Sequence, residues 1–212
     1  MAGEAPAATS RALPPTARGQ RTRESLIAAA RSVFEQHGYL DARLSDISKE
    51  AGVSVGSFYV YFASKEEIFA AVLEQVQDEM LHPRVSGAGH GSRPIADIEA
   101  SNRAYLSWYQ RNALFMRALE QAATSDDNLR ELRRRRGEAF ARRNARSIRE
   151  LQAKGLADPS LDALLAAKAV DSMVGRMAYA TYVLGDECPF EDLVAVLTRL
   201  WVNALRIQPD ES

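Results

Sequence analysis

Between Leu44 and Phe69 the chain reads LSDISKEAGVSVGSFYVYFASKEEIF. No other stretch limits the fold so strongly. Gly52 ends one helical pattern, because glycine takes the positive φ that a reversing turn needs. Ser54 is placed to cap a second helix and Ser64 a third. Ser64-Lys65-Glu66-Glu67 has capping-box spacing, with serine at the cap and glutamate three residues on. Each cap contributes about 1 kcal/mol. Helices are therefore predicted over roughly Leu44–Ala51, over Val55–Tyr61, and from Ser64 onward. The first pair is a helix-turn-helix pattern.

The middle helix is short. At about 1.5 Å per residue its seven residues span roughly 10 Å, close to the roughly 12 Å width of a DNA major groove. Phe58 and Phe62, four apart, share a face for burial, and Tyr59 lies off that line. A tyrosine packs its ring on sugar and donates its hydroxyl to phosphate, so the surface tyrosines are expected as backbone anchors.

Helical periodicity extends along the rest of the chain. Leu26, Ile27, Ala30, Val33 and Phe34 fall on one face, and His37-Gly38 is a stop. Beyond a Gly/Pro/Ser-rich break at 83–94, five helices are expected near 95–110, 112–123, 126–154, 161–184 and 190–207. No stretch alternates with period two for long enough to form a strand. The expected fold is all-α, with a three-helix head followed by a larger helical domain. Residues 1–19 read as a disordered tail. The head is placed at 20–65 and the second domain at 66–212.

The chain has 212 residues and 46% hydrophobic content, enough to bury a core. Net charge is −1, so overall basicity gives no argument for nucleic acid. Residues 1–65 hold 8 basic and 6 acidic side chains, a weak local bias. The single cysteine, Cys188, excludes an intrachain disulfide. No apolar run reaches the roughly 18 residues of a membrane span, and the N-terminus lacks a signal-peptide core. A cytoplasmic protein is expected. The three histidines have no nucleophile or acid at a recognisable spacing. No metal site or cofactor motif is present, and no enzyme is expected.

Residues 44–69, with RESLIAAARSVFEQHGY before them, resemble the DNA-binding segment of the TetR family of bacterial transcriptional regulators. The resemblance implies a DNA-binding head, a connecting fourth helix, and a helical ligand domain. It also implies a homodimer that leaves double-stranded DNA when a small molecule binds. Carried over by position, Ser54, Val55, Gly56 and Ser57 would face the groove. Tyr59 and Tyr61 would contact backbone and bases, and Lys65 a phosphate. Where the family usually offers a hydroxyl cap to the second helix, this chain has Ala42 and Arg43. Ser45 is a late substitute, and Arg43 replaces the lost contact with a charged one. Val55 stands where lysine is common. The short helix VGSFYVY has none of the Arg, Lys, Asn or Gln side chains that make bidentate base contacts. Specificity is therefore expected from DNA shape and from tail arginines entering a minor groove, with Arg18, Arg21 and Arg23 as candidates.

In the second domain, nine arginines lie between residues 130 and 149. Helical phase puts Arg136 and Arg143 on the face of Leu129, Leu132, Phe140 and Leu151. Buried arginines need partners. Those would be internal carboxylates such as Asp171 or Glu120, or an anionic effector such as an acyl-coenzyme A or a carboxylate. Trp108, Arg136, Phe140, Arg143, Asp171, Arg176 and Tyr179 are the candidate ligand residues. Leu193, Val196, Leu197, Leu200, Trp201 and Leu205 cover more than one stripe of the last helix, which suggests a dimer interface of bundled helices. The alternative to a regulator is a helical interaction protein that acts through its arginine-rich helix.

Overall fold

The computed structural model describes residues 16–81 and 93–208. Most of the expected break at 83–94 lies outside them, as do residues 1–15. Nine α-helices are present among the described residues: α1 Ala17–Asp41, α2 Leu44–Glu50, α3 Val55–Tyr61, α4 Lys65–Leu81, α5 Pro94–Arg111, α6 Ala113–Ser125, α7 Asp127–Ala153, α8 Ala163–Tyr179 and α9 Phe190–Leu205. A π-helical turn, Ala180–Leu184, extends α8. The described residues contain no strand, as expected of an all-α chain. They form two compact units: residues 16–79 with 117–130, and residues 80–81 and 93–116 with 131–208.

The first unit is built on α1. Its predicted apolar face, Leu26, Ile27, Ala30, Val33 and Phe34, is buried, together with Ile47, Phe58, Phe62, Ile68 and Phe69. Phe69 meets Phe34 edge-on at 4.9 Å and Tyr39 at 5.0 Å between ring centroids. Such pairs add about 0.5–1.5 kcal/mol beyond area burial. Helix α1 starts earlier than its periodicity suggests. Thr16 caps it by accepting from the Gly19 N–H at 3.1 Å, so residues 16–19 belong to the helix rather than to a tail. At the other end Gly38 leaves helical geometry with φ +76°. A side chain there would run into Gln121 of α6, whose Oε1 accepts the Tyr39 N–H at 2.9 Å.

In the second unit, Ala145, Ile148, Ala167 and Leu205 are buried together with Ile207. Asn102 of α5 donates to the buried Thr198 of α9 at 3.2 Å. The helix predicted over 161–184 begins later, where the Asp162 side chain caps Leu165 N–H at 2.7 Å. It changes to π geometry at Ala180 and stops at Gly185, φ +87°.

Candidate nucleic-acid interface

The turn between α2 and α3 is a Schellman motif. Val53 N–H donates to Ser48 O at 2.9 Å and Gly52 N–H to Lys49 O at 3.1 Å. Gly52 takes φ +68°, as the motif requires. Ser54 then opens α3 by accepting from Ser57 N–H at 3.1 Å. The two serine hydroxyls lie 3.0 Å apart, so Ser57 is tied to the cap as well as to the helix start.

Phe58 and Phe62 anchor α3 from below, fully buried, with ring centroids 5.9 Å apart. What remains above is apolar and aromatic: Val55 is 41% exposed, Tyr59 48% and Val60 67%. Gly56 is exposed, and a Cβ added there would meet only Ser54 Oγ at 3.8 Å. Tyr61 is half-buried and faces elsewhere. It lines a groove of about 330 Å³ with Thr16, Arg18, Thr22, Ser57 and Val60. Reading the sequence missed this wall from the start of α1. The T-A-R-G capping pattern at Thr16 was the available signal.

Several expected DNA contacts sit differently. Lys65 is not held out toward a phosphate. Its ammonium donates to Tyr39 O at 2.9 Å, Leu40 O at 3.3 Å and Ala42 O at 3.2 Å. It also lies 4.6 Å from the Tyr39 ring centroid. All three donors of the side chain are used, closing the carbonyl end of α1 onto α4. Beside it, burial of the Tyr39 phenol, together with Glu66, drives that group's pKa upward. Burial also works to raise Glu66, but hydrogen bonds including one from Tyr39 outweigh it and hold the carboxyl down. The capping box at α4 forms with Ser64 as its cap, and only its return bond falls one residue earlier than the motif has it. Ser64 Oγ accepts Glu67 N–H at 3.3 Å, and Glu67 reaches back to Ala63 N–H at 2.6 Å.

Arg43 is the N-cap residue of α2 and makes no side-chain capping bond. Ser45 does not substitute for the cap; its hydroxyl turns to Asp46 at 3.4 Å. Both are exposed. Arg18, Arg21 and Arg23 stand in the first turns of α1 instead of a tail. Arg23 lies 5.1 Å from the Phe62 ring centroid.

The candidate ligand residues separate into core and surface. Trp108 is buried, Phe140, Asp171 and Tyr179 are half-buried, and Arg176 is exposed 5.4 Å from the Tyr179 ring centroid. Arg143 is exposed rather than buried; its guanidinium rests 4.9 Å from the Phe140 centroid. Partial burial of the guanidinium lowers its pKa, against the charge of Asp171. Arg136 is half-buried. The donor to Asp171 is Asn144, at 2.7 Å, not an arginine. A groove of about 460 Å³ runs elsewhere in this unit, past Ile95, Arg103, Glu191 and Val202, and none of the seven candidates lines it.

Along α9, Leu193, Leu197 and Leu205 are buried within the chain itself, and Trp201 is half-buried. They are core rather than a free face, because one helix side closes over α5 and α8. Val196, 56% exposed, and Leu200, 44%, form the outward stripe. Leu165, Met177 and Leu184 are also exposed.

Residues 26–72 match the family model for bacterial regulatory proteins of the tetR family. Residues 98–206 match the C-terminal domain of the transcriptional regulator EthR. The chain belongs to the TetR family of bacterial transcriptional regulators. It is 27% identical over 195 residues to the HTH-type transcriptional regulator EthR of Mycolicibacterium smegmatis, covering 88% of this chain and 87% of that one. It is 45% identical over 56 residues to the HTH-type transcriptional regulator YdgC of Bacillus subtilis, but that match spans 26% of this chain and only 29% of YdgC. A solved transcriptional regulator from Rhodococcus sp. shares the fold with a TM-score of 0.72 and 24% identity, over 88% of this chain and 99% of its own. Among the described residues no helix is long and apolar enough to cross a membrane.

Proposed function

We propose that this DNA-binding regulator is a repressor that holds a palindromic operator as a homodimer and is released by a small molecule. The observation that carries the reading is α3, held from below by Phe58 and Phe62 and capped by Ser54, with Val55, Gly56 and Tyr59 turned outward. With no long polar side chain on that helix, Ser57 and the Val55 methyls make the base contacts, and DNA shape supplies the remaining discrimination. The neighbouring groove at Thr16, Arg18 and Tyr61 supplies polar groups for the phosphate backbone. In this reading residues 20–65, with Thr16 and Arg18 just before them, bind DNA, and 66–212 bind effector and partner protomer. Val196 and Leu200, with Leu165, Met177 and Leu184, are the apolar surface a second copy would cover. The protein works in the cytoplasm, where its DNA is.

The arginine-rich helix is a weaker candidate for a partner surface. Arg134 and Arg135 bind Glu131 at 2.7 and 2.8 Å, and Arg142 binds Glu138 at 2.6 Å. Hydrogen bonds from Arg134 and Arg135 hold the Glu131 carboxyl at a pKa of about 2. Much of the run is thus a self-paired, solvated face.

The test is selection of binding sites from random DNA with the purified chain, followed by titration at several salt concentrations. The expected product is a palindrome with half-sites about one helical turn or a multiple apart. Tyr59→Ala should weaken binding about tenfold without lowering the melting temperature. Enrichment of no site, or full affinity in Tyr59→Ala, would remove α3 as the reading element.

A further inference from the structure

Four buried side-chain polar atoms among the described residues have no hydrogen-bond partner: Asp171 Oδ2, Thr181 Oγ1, Tyr182 OH and Trp201 Nε1. Three of them follow one another along α8 and its π turn. The carboxylate is the one with charge at stake. Its Oδ1 accepts from Asn144 at 2.7 Å, which leaves Oδ2 as a desolvated acceptor. A buried acceptor without a donor costs about 1–3 kcal/mol, more when it is charged.

The surroundings of Asp171 are aromatic. One turn further along α8, Gly175 leaves room for the Tyr105 hydroxyl, which a Cβ there would meet at 3.5 Å. Tyr105 lies 6.1 Å from Trp108, 5.9 Å from Tyr109 and 6.0 Å from Phe140, centroid to centroid. Tyr109 continues the series to Tyr182 at 6.4 Å. Five rings therefore join in one connected set that touches α5, α7 and the turn after α8. Ring faces attract cations, and a carboxylate oxygen accepts N–H donors, so both kinds of group repel an anion. Arg143, poised over Phe140, already shows a guanidinium using one of these faces.

We propose that the effector is an organic cation whose ammonium or amidinium group donates to Asp171 Oδ2 while its apolar part lies among Tyr105, Trp108, Phe140 and Tyr182. This rests on the ligand-responsive reading above and reverses the charge expected from the arginines. Burial raises the Asp171 carboxyl to about 6, against the hydrogen bond from Asn144 and the charge of Arg143. The charged and titratable groups at the site are Tyr105 on α5 and, on α7, Arg143 beside Asp171 and Arg133 beside Tyr105. None titrates between about pH 5 and 8, so loss of cation binding in that window belongs to Asp171.

The experiment uses three probes of one shape: phenylbutylamine, phenylbutanol and phenylbutyrate. Each is titrated into the full-length protein by calorimetry and then added to the protein–operator complex. The amine should bind about tenfold or more tightly than the acid. That preference should vanish in Asp171→Asn and persist in Asp171→Glu. Amine affinity should fall as pH drops through about 6 in the wild type and stay level in Asp171→Asn. Tighter binding of the acid, an unchanged preference in Asp171→Asn, or no binding by any probe at millimolar concentration would overturn the proposal. If acids release the operator and amines do not, the ligand-responsive reading stands and the cationic effector falls. If no small molecule from a broad charged and neutral set releases it, both fall.

Discussion

Around α3 the polar side chains are tied down. Ser54 holds the first turn, Lys65 holds three carbonyls at the end of α1, and Gln121 holds the Tyr39 N–H. Around α8 and its neighbours some are tied, as Asn102 is to Thr198 and Asn144 to Asp171, but all four partnerless buried polar atoms among the described residues belong to this second unit. Under the proposed function, the contrast separates two tasks. A surface that must fit a fixed shape gains from being organised before contact. A region that must accept a guest keeps unmet hydrogen-bonding capacity, at a cost to the empty protein.

That contrast can be broken by substitution. Lys65→Met gives the largest expected effect. It removes three donors, and thermal or urea unfolding should show a loss of about 3 kcal/mol. Corrected for that loss, the salt dependence of DNA binding should be unchanged. A slope reduced by one ion would return Lys65 to the phosphates. Asp171→Asn should act in the opposite direction. A carboxyl raised to about 6 when folded stabilises the fold below the unfolded pKa. It loses that contribution as pH rises toward 6, because the folded state then holds the extra proton. The variant should therefore be more stable than wild type by about 2 kcal/mol at pH 8, with the gain gone near pH 4. A variant that melts earlier at pH 8 would show that the carboxylate is satisfied after all.

Smaller effects sharpen the head's side of the comparison. Ser54→Ala should cost about 1 kcal/mol by chemical denaturation, and more in operator affinity than in stability, since Ser57 loses its neighbour too. Tyr59→Phe, at a half-exposed position, should change stability by less than about 0.5 kcal/mol. Operator affinity should still fall, and a variant that binds as well as wild type would limit Tyr59 to ring packing.

The head was largely legible in the sequence because its punctuation is local. Gly52, Ser54 and Ser64 act on residues within three or four positions, and the bounds of α3 follow from them. The carbonyl contacts of Lys65 were not legible, because those partners lie 23 to 26 positions away at the end of another helix. In α9 the helical stripe was correct but too broad. Periodicity cannot tell which flank of an apolar helix the same chain covers, so Leu193, Leu197 and Leu205 were grouped with Val196 and Leu200. The two arginines that phase puts on the inner face of α7 divide: Arg136 is half-buried, while Arg143 is exposed and rests its guanidinium on the Phe140 ring. Asp171 was legible as a candidate carboxylate, but nothing in the sequence showed that Asn144 would serve one of its oxygens and leave the other without a donor.

Lys65 also turns the head into its own reporter. The chain has four lysines, and Lys49, Lys154 and Lys168 are exposed while Lys65 is half-buried. An acylating reagent must reach the nitrogen, and that of Lys65 is closed in by three carbonyls and the Tyr39 ring. Three sites should label quickly and the fourth slowly, so the rate at Lys65 measures how often α4 lifts away from the end of α1.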